Sequence, residues 1–314
     1  MDEFELVGRF YGDVPVTDAA ARERALARLR VARRSRMPRR SAILAAAVGV
    51  VSALAVVVLQ VSSPSAAATE LRRLAAIAGT RELAAGTRPV VYEAGEVLDA
   101  ITGQGIEAAD GFVILVDAQV ERWRSRSGEV LQIRRVVDAR FRSPADRLVW
   151  ETMGRPLPVP ERGETQRTEI APGEIPFPDL AELPLEPEAL LEMIRSGWTE
   201  ERLRTDEQTL LALSELLVRG DATAELRRTL FEAAASLGSV ELLGERTDPL
   251  GRVGVGLGVG PADRRVVVTV DPDTSELLAV EQRHGSGAQA LESWQAYTAW
   301  TTVDQMGDQP RGVD

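Results

Sequence analysis

The sequence predicts an α+β chain in which one transmembrane helix leads into an extracytoplasmic domain. That domain is read as antiparallel sheet, a half-barrel among its forms, packed with two or three helices. Three observations carry this reading. Residues 41–61 contain no charged side chain. Beyond them, stretches with strand-like alternation flank a block with helical stripes, the order sheet, helices, sheet that marks segregated α+β structure. Charge also changes sign across the uncharged run. Residues 1–40 hold ten arginines and six acids, a net of +4, whereas residues 62–314 hold 27 arginines and 42 acids, a net of -15.

Composition narrows the chemistry. The 314 residues include no cysteine and a single histidine, His284, and all 37 basic residues are arginine. Disulfides, thiolate nucleophiles, iron–sulfur clusters, Cys-ligated zinc, Schiff-base lysines and a P-loop lysine are therefore excluded. A hydrophobic content of 44% is enough for a real core. The acidic outer region is a poor nucleic-acid binder, because a phosphate backbone would repel it.

The chain begins with a cytoplasmic basic helical segment, residues 1–40. Phe4, Val7 and Phe10 recur at the spacing of one face of a short helix, and Gly12-Asp13-Val14-Pro15 breaks it. A second helix is capped by Thr17 or Asp18, with Glu23 early, arginines late and a narrow stripe that includes Leu26 and Leu29. Forty residues bury too little surface to fold alone. Two readings stand side by side: a solvated tail that fixes topology, and a partner-binding segment that gives Phe4, Val7, Phe10, Leu26 and Leu29 a use.

Residues 41–61, SAILAAAVGVVSALAVVVLQV, are read as the transmembrane helix, since 21 residues at about 1.5 Å each match the roughly 30 Å bilayer core. Arg28, Arg30, Arg33, Arg34, Arg36, Arg39 and Arg40 precede it closely, while Arg72 and Arg73 follow. The positive flank, Arg33, Arg34, Arg36, Arg39 and Arg40 above all, places the N-terminus in the cytoplasm against an anionic leaflet and the C-terminal bulk outside the cell membrane. A cleaved signal peptide is the competing reading, with Ser65-Ala66-Ala67-Ala68 as its cleavage site. The long N-terminal extension and the length of the apolar run favour an uncleaved anchor.

Residues 62–69 are read as a linker, 70–305 as the extracytoplasmic α+β domain and 306–314 as a flexible tail. Glu70–Ala78 carries Leu71, Leu74 and Ala75 on one helical face. Phe112–Trp123 and Val130–Arg142 alternate as two strands of a hairpin around Ser125–Gly128, and Leu148–Thr152 is read as continuing the meander. Arg155–Pro187, rich in proline and glycine, is read as a surface excursion. Helices are expected over Pro187–Arg195, Glu200–Val218 and Thr223–Leu237, each with the stripe of a helix lying on a sheet. Strands resume at Val240–Glu245, Gly251–Gly260, Arg265–Val270, Glu276–Gln282 and Tyr297–Val303, with a turn at Asp271–Ser275.

Gly254, Gly256 and Gly258 alternate with Val253, Val255, Leu257 and Val259. No helix follows, so this is no dinucleotide fingerprint. A helix crossing over the glycine face is expected, because glycine lets another backbone approach. No catalytic signature, cofactor motif or metal site emerges. His284 beside Gly285 reads as a loop residue, and Glu93, Glu96 and Asp99 read as solvated charges. Asp271 and Asp273 read as turn chemistry rather than a calcium loop. Trp123, Trp150, Trp198, Trp294 and Trp300 read as packing groups.

The layout resembles an uncharacterised family of single-pass membrane proteins of high-GC Gram-positive bacteria, often encoded beside extracytoplasmic-function sigma factors. The resemblance rests on Val14-Pro15 before Ala19–Arg30, the single span, Leu183-Pro184 with Pro187 before Leu190-Leu191, and the helix Leu226–Phe231. It also takes in Asp248 with Gly251-Arg252-Val253-Gly254, Asp271-Pro272-Asp273-Thr274 before Glu276-Leu277-Leu278, and Val303-Asp304 with Pro310. It implies a non-enzymatic, sensor or anti-sigma-like role with a cytoplasmic sigma factor as partner and a ligand or protein bound outside; it implies no catalytic residues. The His and Cys ligands of the zinc-binding anti-sigma domain are missing. The alternative is a membrane-anchored, lipid- or ligand-binding envelope module resembling lipoprotein carriers, with no signalling role.

The cysteine-free sequence makes the topology directly measurable. In intact cells a membrane-impermeant maleimide is expected to label Ser127→Cys and to spare Ala20→Cys until the membrane is permeabilised; the reverse pattern would invert the topology.

Overall fold

A computed structural model describes residues 65–80, 89–103, 111–125, 127–171, 179–197, 204–285 and 290–310. The inner segment and the expected span at 41–61 lie outside these residues, and with them Phe4, Val7, Phe10, Leu26, Leu29, Arg33, Arg34, Arg36, Arg39 and Arg40. Among the described residues no helix is long and apolar enough to cross a membrane.

The fold is α+β, built on one nine-stranded sheet with every pairing antiparallel. Its strands are β1 Val90–Gly103, β2 Phe112–Ser125, β3 Val130–Phe141, β4 Thr165–Ile170, β5 Glu241–Thr247, β6 Val253–Val259, β7 Arg264–Val270, β8 Leu277–His284 and β9 Leu291–Val303. They lie in the order β4-β3-β2-β1-β9-β8-β7-β6-β5, so the first and last strands pair at the centre. The helices are α1 Ala66–Thr80, α2 Pro144–Thr152, α3 Pro187–Ser196, α4 Asp206–Leu217 and α5 Ala224–Ala235. Among the described residues these five helices exceed the two or three expected.

Helix α1 starts inside the segment read as linker. The Ser65 hydroxyl accepts from the Ala68 amide at 3.0 Å, an N-cap bond. Ala67, Ala68, Leu71, Leu74, Ala75 and Ala78 are buried along its length. They join one core with Leu190 and Leu191 of α3, Leu210, Leu213 and Leu217 of α4, and Leu226, Leu230 and Phe231 of α5. The sheet contributes Leu257, Val259, Val266, Val268, Val270, Leu277, Val280 and Tyr297 to this core. Each such leucine taken from water contributes about 1.5–3 kcal/mol, so the helical layer is fixed to strands β6–β9 by packing. Helices α4 and α5 start at capped positions: the Thr205 and Thr223 hydroxyls accept from the Gln208 and Leu226 amides.

Several expectations are corrected. Residues 144–152 form a helix, not a strand. Ser143 caps it, Pro144 occupies its first turn, and the buried Asp146 carboxylate accepts from the Val113 amide at 2.9 Å. These bonds override the strand-forming run Leu148-Val149-Trp150. Within the expected surface excursion, Thr165–Ile170 pairs with β3 as an edge strand. Among the described residues no helix crosses the glycine face of β6. A Cβ at Gly256 would lie 2.3 Å from Cδ of Arg246, and one at Gly258 would lie 2.8 Å from Nε of Arg265. Arginines of the flanking strands thus lie flat across the glycines, and the helices take the Leu257 and Val259 side. The first residues of the expected tail are held on the sheet face away from the helices, where the indole of Trp123 donates to the Asp308 carbonyl at 2.7 Å and Met306 packs against Tyr92, Trp123, Leu131 and Val303.

At the centre of the sheet close approach requires a glycine. At the β1–β9 register shift, a Cβ on Gly95 would stand 2.3 Å from the Ala296 carbonyl oxygen, a backbone atom that cannot swing away. Gly95→Ala is expected to lower stability by about 1–3 kcal/mol in thermal unfolding, whereas Gly238→Ala, in open space, leaves the midpoint unchanged or raised.

Candidate functional site

Alternation decides which side chains face the helical layer. In β1 these are Val91, Glu93, Gly95, Val97 and Asp99; the register brings Arg124, Arg122, Val120, Ala118 and Val116 of β2 beside them, and Gln132, Arg134 and Val136 of β3 next. Helix α2 packs at one end of this face through Val149 and Trp150, against Phe112, Ile114 and Val116. The α1/α3/α4/α5 layer covers the other half of the sheet. Between the two lies a belt of arginines and carboxylates.

The belt is ordered by register. Arg122 sits between Glu93 and Gln132 and donates to the Gln132 oxygen from Nε at 3.1 Å and NH2 at 2.9 Å, but its NH1 reaches Glu93 Oε2 only at 3.5 Å. Glu93 is 5% exposed, and its Oε1 accepts no hydrogen bond. One step along, Arg134 of β3 reaches across β2 to the Asp99 carboxylate of β1 at 2.9 Å. That ion pair passes the level of Ala118, which with Val97 and Val120 forms a small buried apolar floor. The Asp99 side chain is 54% exposed. Even so, the protein around it removes enough bulk water to raise its carboxyl, against the lowering by Arg134.

Deeper in the belt, Arg219, which follows α4, donates to Asp221 from Nε at 3.1 Å and NH2 at 2.8 Å. Arg124 is almost fully buried. Burial first, and then the Arg122 and Arg219 guanidiniums, hold its pKa below the usual arginine range against the pull of Glu93 and Asp221. The phenol of buried Tyr297 is held above the ordinary tyrosine range by burial, then by Glu93 and Glu215.

A line of contacts runs from this belt to α1. Trp300 is the cross-strand neighbour of Glu93. The Arg227 guanidinium of α5 stands 4.6 Å from the Trp300 ring centroid, a cation–π contact. It also donates to the Leu217 carbonyl at 2.9 Å and the Ser275 carbonyl at 3.3 Å. Ser275 ends the β7–β8 turn at φ 57, and the Asp271 carboxylate shapes that turn by accepting from the amides of Asp273 and Thr274. From the other side Arg73 of α1 donates to the Pro272 carbonyl at 3.0 Å.

The residues singled out in the sequence as partner-binding or topological all lie outside the described residues. Glu93 and Asp99, read as solvated, are brought to one face with Arg122 and Arg134, while Glu96 points to the other face. Part of the signal was present in the alternation: Arg122 continues a β2 face that is apolar from Phe112 to Val120. Among the described residues no group of three or more His, Asp or Glu is placed to hold a metal ion. What the belt offers is a close array of hydrogen-bond donors and acceptors over an apolar floor. Comparison with protein-family models, with curated proteins and with solved structures finds no match for the chain.

Removing the Arg227 guanidinium strands two buried carbonyls. Arg227→Met is expected to lower stability by about 2–3 kcal/mol, seen in urea denaturation, and to speed hydrogen exchange in the 271–276 turn more than in β2.

Proposed function

We propose that the chain is a non-enzymatic, single-pass membrane protein of regulatory type. Its outer domain binds a ligand, its Phe4–Arg34 segment engages a cytoplasmic partner, a sigma factor, and the span couples the two. The observation that carries this reading is the docking of α1. Its N-cap, Ser65, follows Val61, the last residue of the expected span, by only four positions, and the helix after it is buried against the domain along its length. Four residues reach at most about 14 Å. A pure anchor works with a loose tether; a helix docked to the domain and bonded through Arg73 to the 271–276 turn supports mechanical coupling. Rearrangement at Glu93 and Trp300 has a route of contacts to α1 through Arg227, the turn and Arg73, and coupling needs such an element with two arrangements.

The second reading, an envelope carrier without signalling, draws on the single open antiparallel sheet with helices on one face. It has the same topology but a tail that only anchors.

Affinity capture separates the two. Full-length protein in detergent is expected to retain an extracytoplasmic-function sigma factor from the cells that encode it, and Phe4→Ser with Phe10→Ser is expected to abolish capture and derepress that factor's promoters. No capture, together with unchanged transcription on deletion, sinks the regulatory reading; co-purified lipid by native mass spectrometry then favours the carrier.

A further inference from the structure

We infer that the outer edge of β4 is a self-association surface: it pairs antiparallel with β4 of a second copy about a two-fold axis at Thr168, so that two sheets join into one. β4 ends the sheet, and among the described residues no strand pairs with its outer side. Thr165, Gln166, Arg167, Thr168 and Glu169 are exposed, and only Ile170 is buried. The Val136 amide donates to the Glu164 carbonyl and the Val136 carbonyl accepts from the Gly163 amide, both at 2.9 Å. By the alternation of an antiparallel ladder, the backbone groups of Gln166, Thr168 and Ile170 then turn to β3, and those of Thr165, Arg167 and Glu169 turn outward. The two ends of the sheet are built differently. β5 carries a register shift at Leu242/Gly244, where Gly244 has φ 77, holds two glutamates against one arginine, and has α1 packed beside it. Bulges, unbalanced charge and a covering element are the devices that keep an edge from pairing. Among the described residues β4 shows none of them: its register to β3 is unbroken from Thr165 to Ile170, it contains no proline, and its one arginine and one glutamate cancel.

Charge then selects the partner and the register. Opposite charges facing each other across a strand pair are stabilising, and like charges are destabilising. A pairing centred on Arg167 opposes two arginines, and one centred on Glu169 opposes two glutamates. The pairing centred on Thr168 sets each Arg167 against Glu169 of the other copy, and does so twice, as an isologous contact requires. Within one copy Arg167 already meets Glu169 at 2.7 Å, but with side chains 59% and 67% exposed that pair is worth little in water, so both groups can be shared at little cost. The two-fold axis relating such strands is normal to the sheet, which keeps both helical layers on the same face. Both Ser65 caps then lie on one side, as two copies anchored in one bilayer need. A six-residue pairing is a small interface, and anchoring raises the effective concentration at which it operates. That added concentration rests on the membrane-anchored reading, whereas the edge geometry does not.

The chain contains no cysteine, so single introduced thiols report the register. In this pairing Thr168 faces Thr168 of the second copy as a non-hydrogen-bonded pair, with Cα atoms about 4.5 Å apart and within disulfide reach. The two Gln166 residues lie about 13 Å apart along the strands, beyond that reach. Membranes carrying the full-length chain are oxidised with copper phenanthroline and resolved on non-reducing gels. Thr168→Cys is expected to give a product of twice the chain mass, and Gln166→Cys to stay monomeric. Adding Arg167→Glu to Thr168→Cys is expected to cut the dimer by about tenfold, and adding Glu169→Arg as well to restore it, because the swapped charges again oppose each other. All four side chains are exposed, so the variants keep the fold. A monomeric Thr168→Cys, equal dimer from both positions, or a dimer indifferent to Arg167→Glu or not restored by the swap overturns the assignment. A Thr168→Cys product of another mass, marking a foreign strand on this edge, overturns it too. Sigma-factor capture does not enter this readout, so the dimer and the regulatory reading can fail separately.

Discussion

Arg227 carries a charge that has been taken out of water, being 2% exposed, and the rest of the domain is arranged to keep it there. Its guanidinium holds the C-terminal end of α4 through the Leu217 carbonyl, the β7–β8 turn through the Ser275 carbonyl and β9 through the Trp300 ring. A buried cation without such partners would be untenable. The three elements are therefore fixed relative to α5, and α5 in turn is the helix against which α1 packs. The left-handed Ser275 follows from the same demand: its carbonyl must point inward at the guanidinium, and the Asp271 side chain supports the turn that aims it.

Arginine is used throughout as a structural material as well as a charge. With no lysine in the chain, every cationic side chain is long, planar and able to lie flat, and the fold uses that property. Arg246 and Arg265 cover the glycines of β6 where a helix was expected, each reaching across the sheet to a carboxylate, Arg246 of β5 to Glu281 of β8 and Arg265 of β7 to Glu241 of β5. Arg134 does the same over Ala118. Long stems supply apolar cover while the guanidinium finds a partner at the rim. The belt across β1–β3 differs from the other arginine layers in the kind of atom left unmet: a carboxylate oxygen of Glu93 there, guanidinium Nε atoms of Arg246 and Arg265 over the glycines.

Much of the fold was legible because local chemistry and tertiary demand agreed. The β2–β3 hairpin, the capped stripe of α5 and the Asp271–Ser275 turn have signals that packing reinforces. Misreadings arose where they disagreed. Leu148-Val149-Trp150 looks like a strand, yet Ser143, Pro144 and Asp146 set a helix start. Val90–Gly103 went unnoticed as a strand because Glu93 and Asp99 occupy its inward face, which breaks the apolar alternation. The candidate site was legible only in fragments, since arginines on a strand face do not announce that register will set carboxylates beside them. Nothing within one strand encodes that β1 lies next to β9.

That central pairing joins residues more than two hundred positions apart, Val90 with Val303 and Glu93 with Trp300. The left half of the sheet, β1 to β4, is built early in the chain, but its exposed edge at β1 is closed only by the final strand. Contacts of such long range slow folding and leave strand edges open meanwhile. A chain extended from its N-terminus therefore holds α1 and β1 waiting until the last thirteen-residue strand arrives. Since Trp300 belongs to that strand, the contact between Arg227 and the belt exists only in the finished chain, and a truncated product lacks both the site's wall and its link to α1.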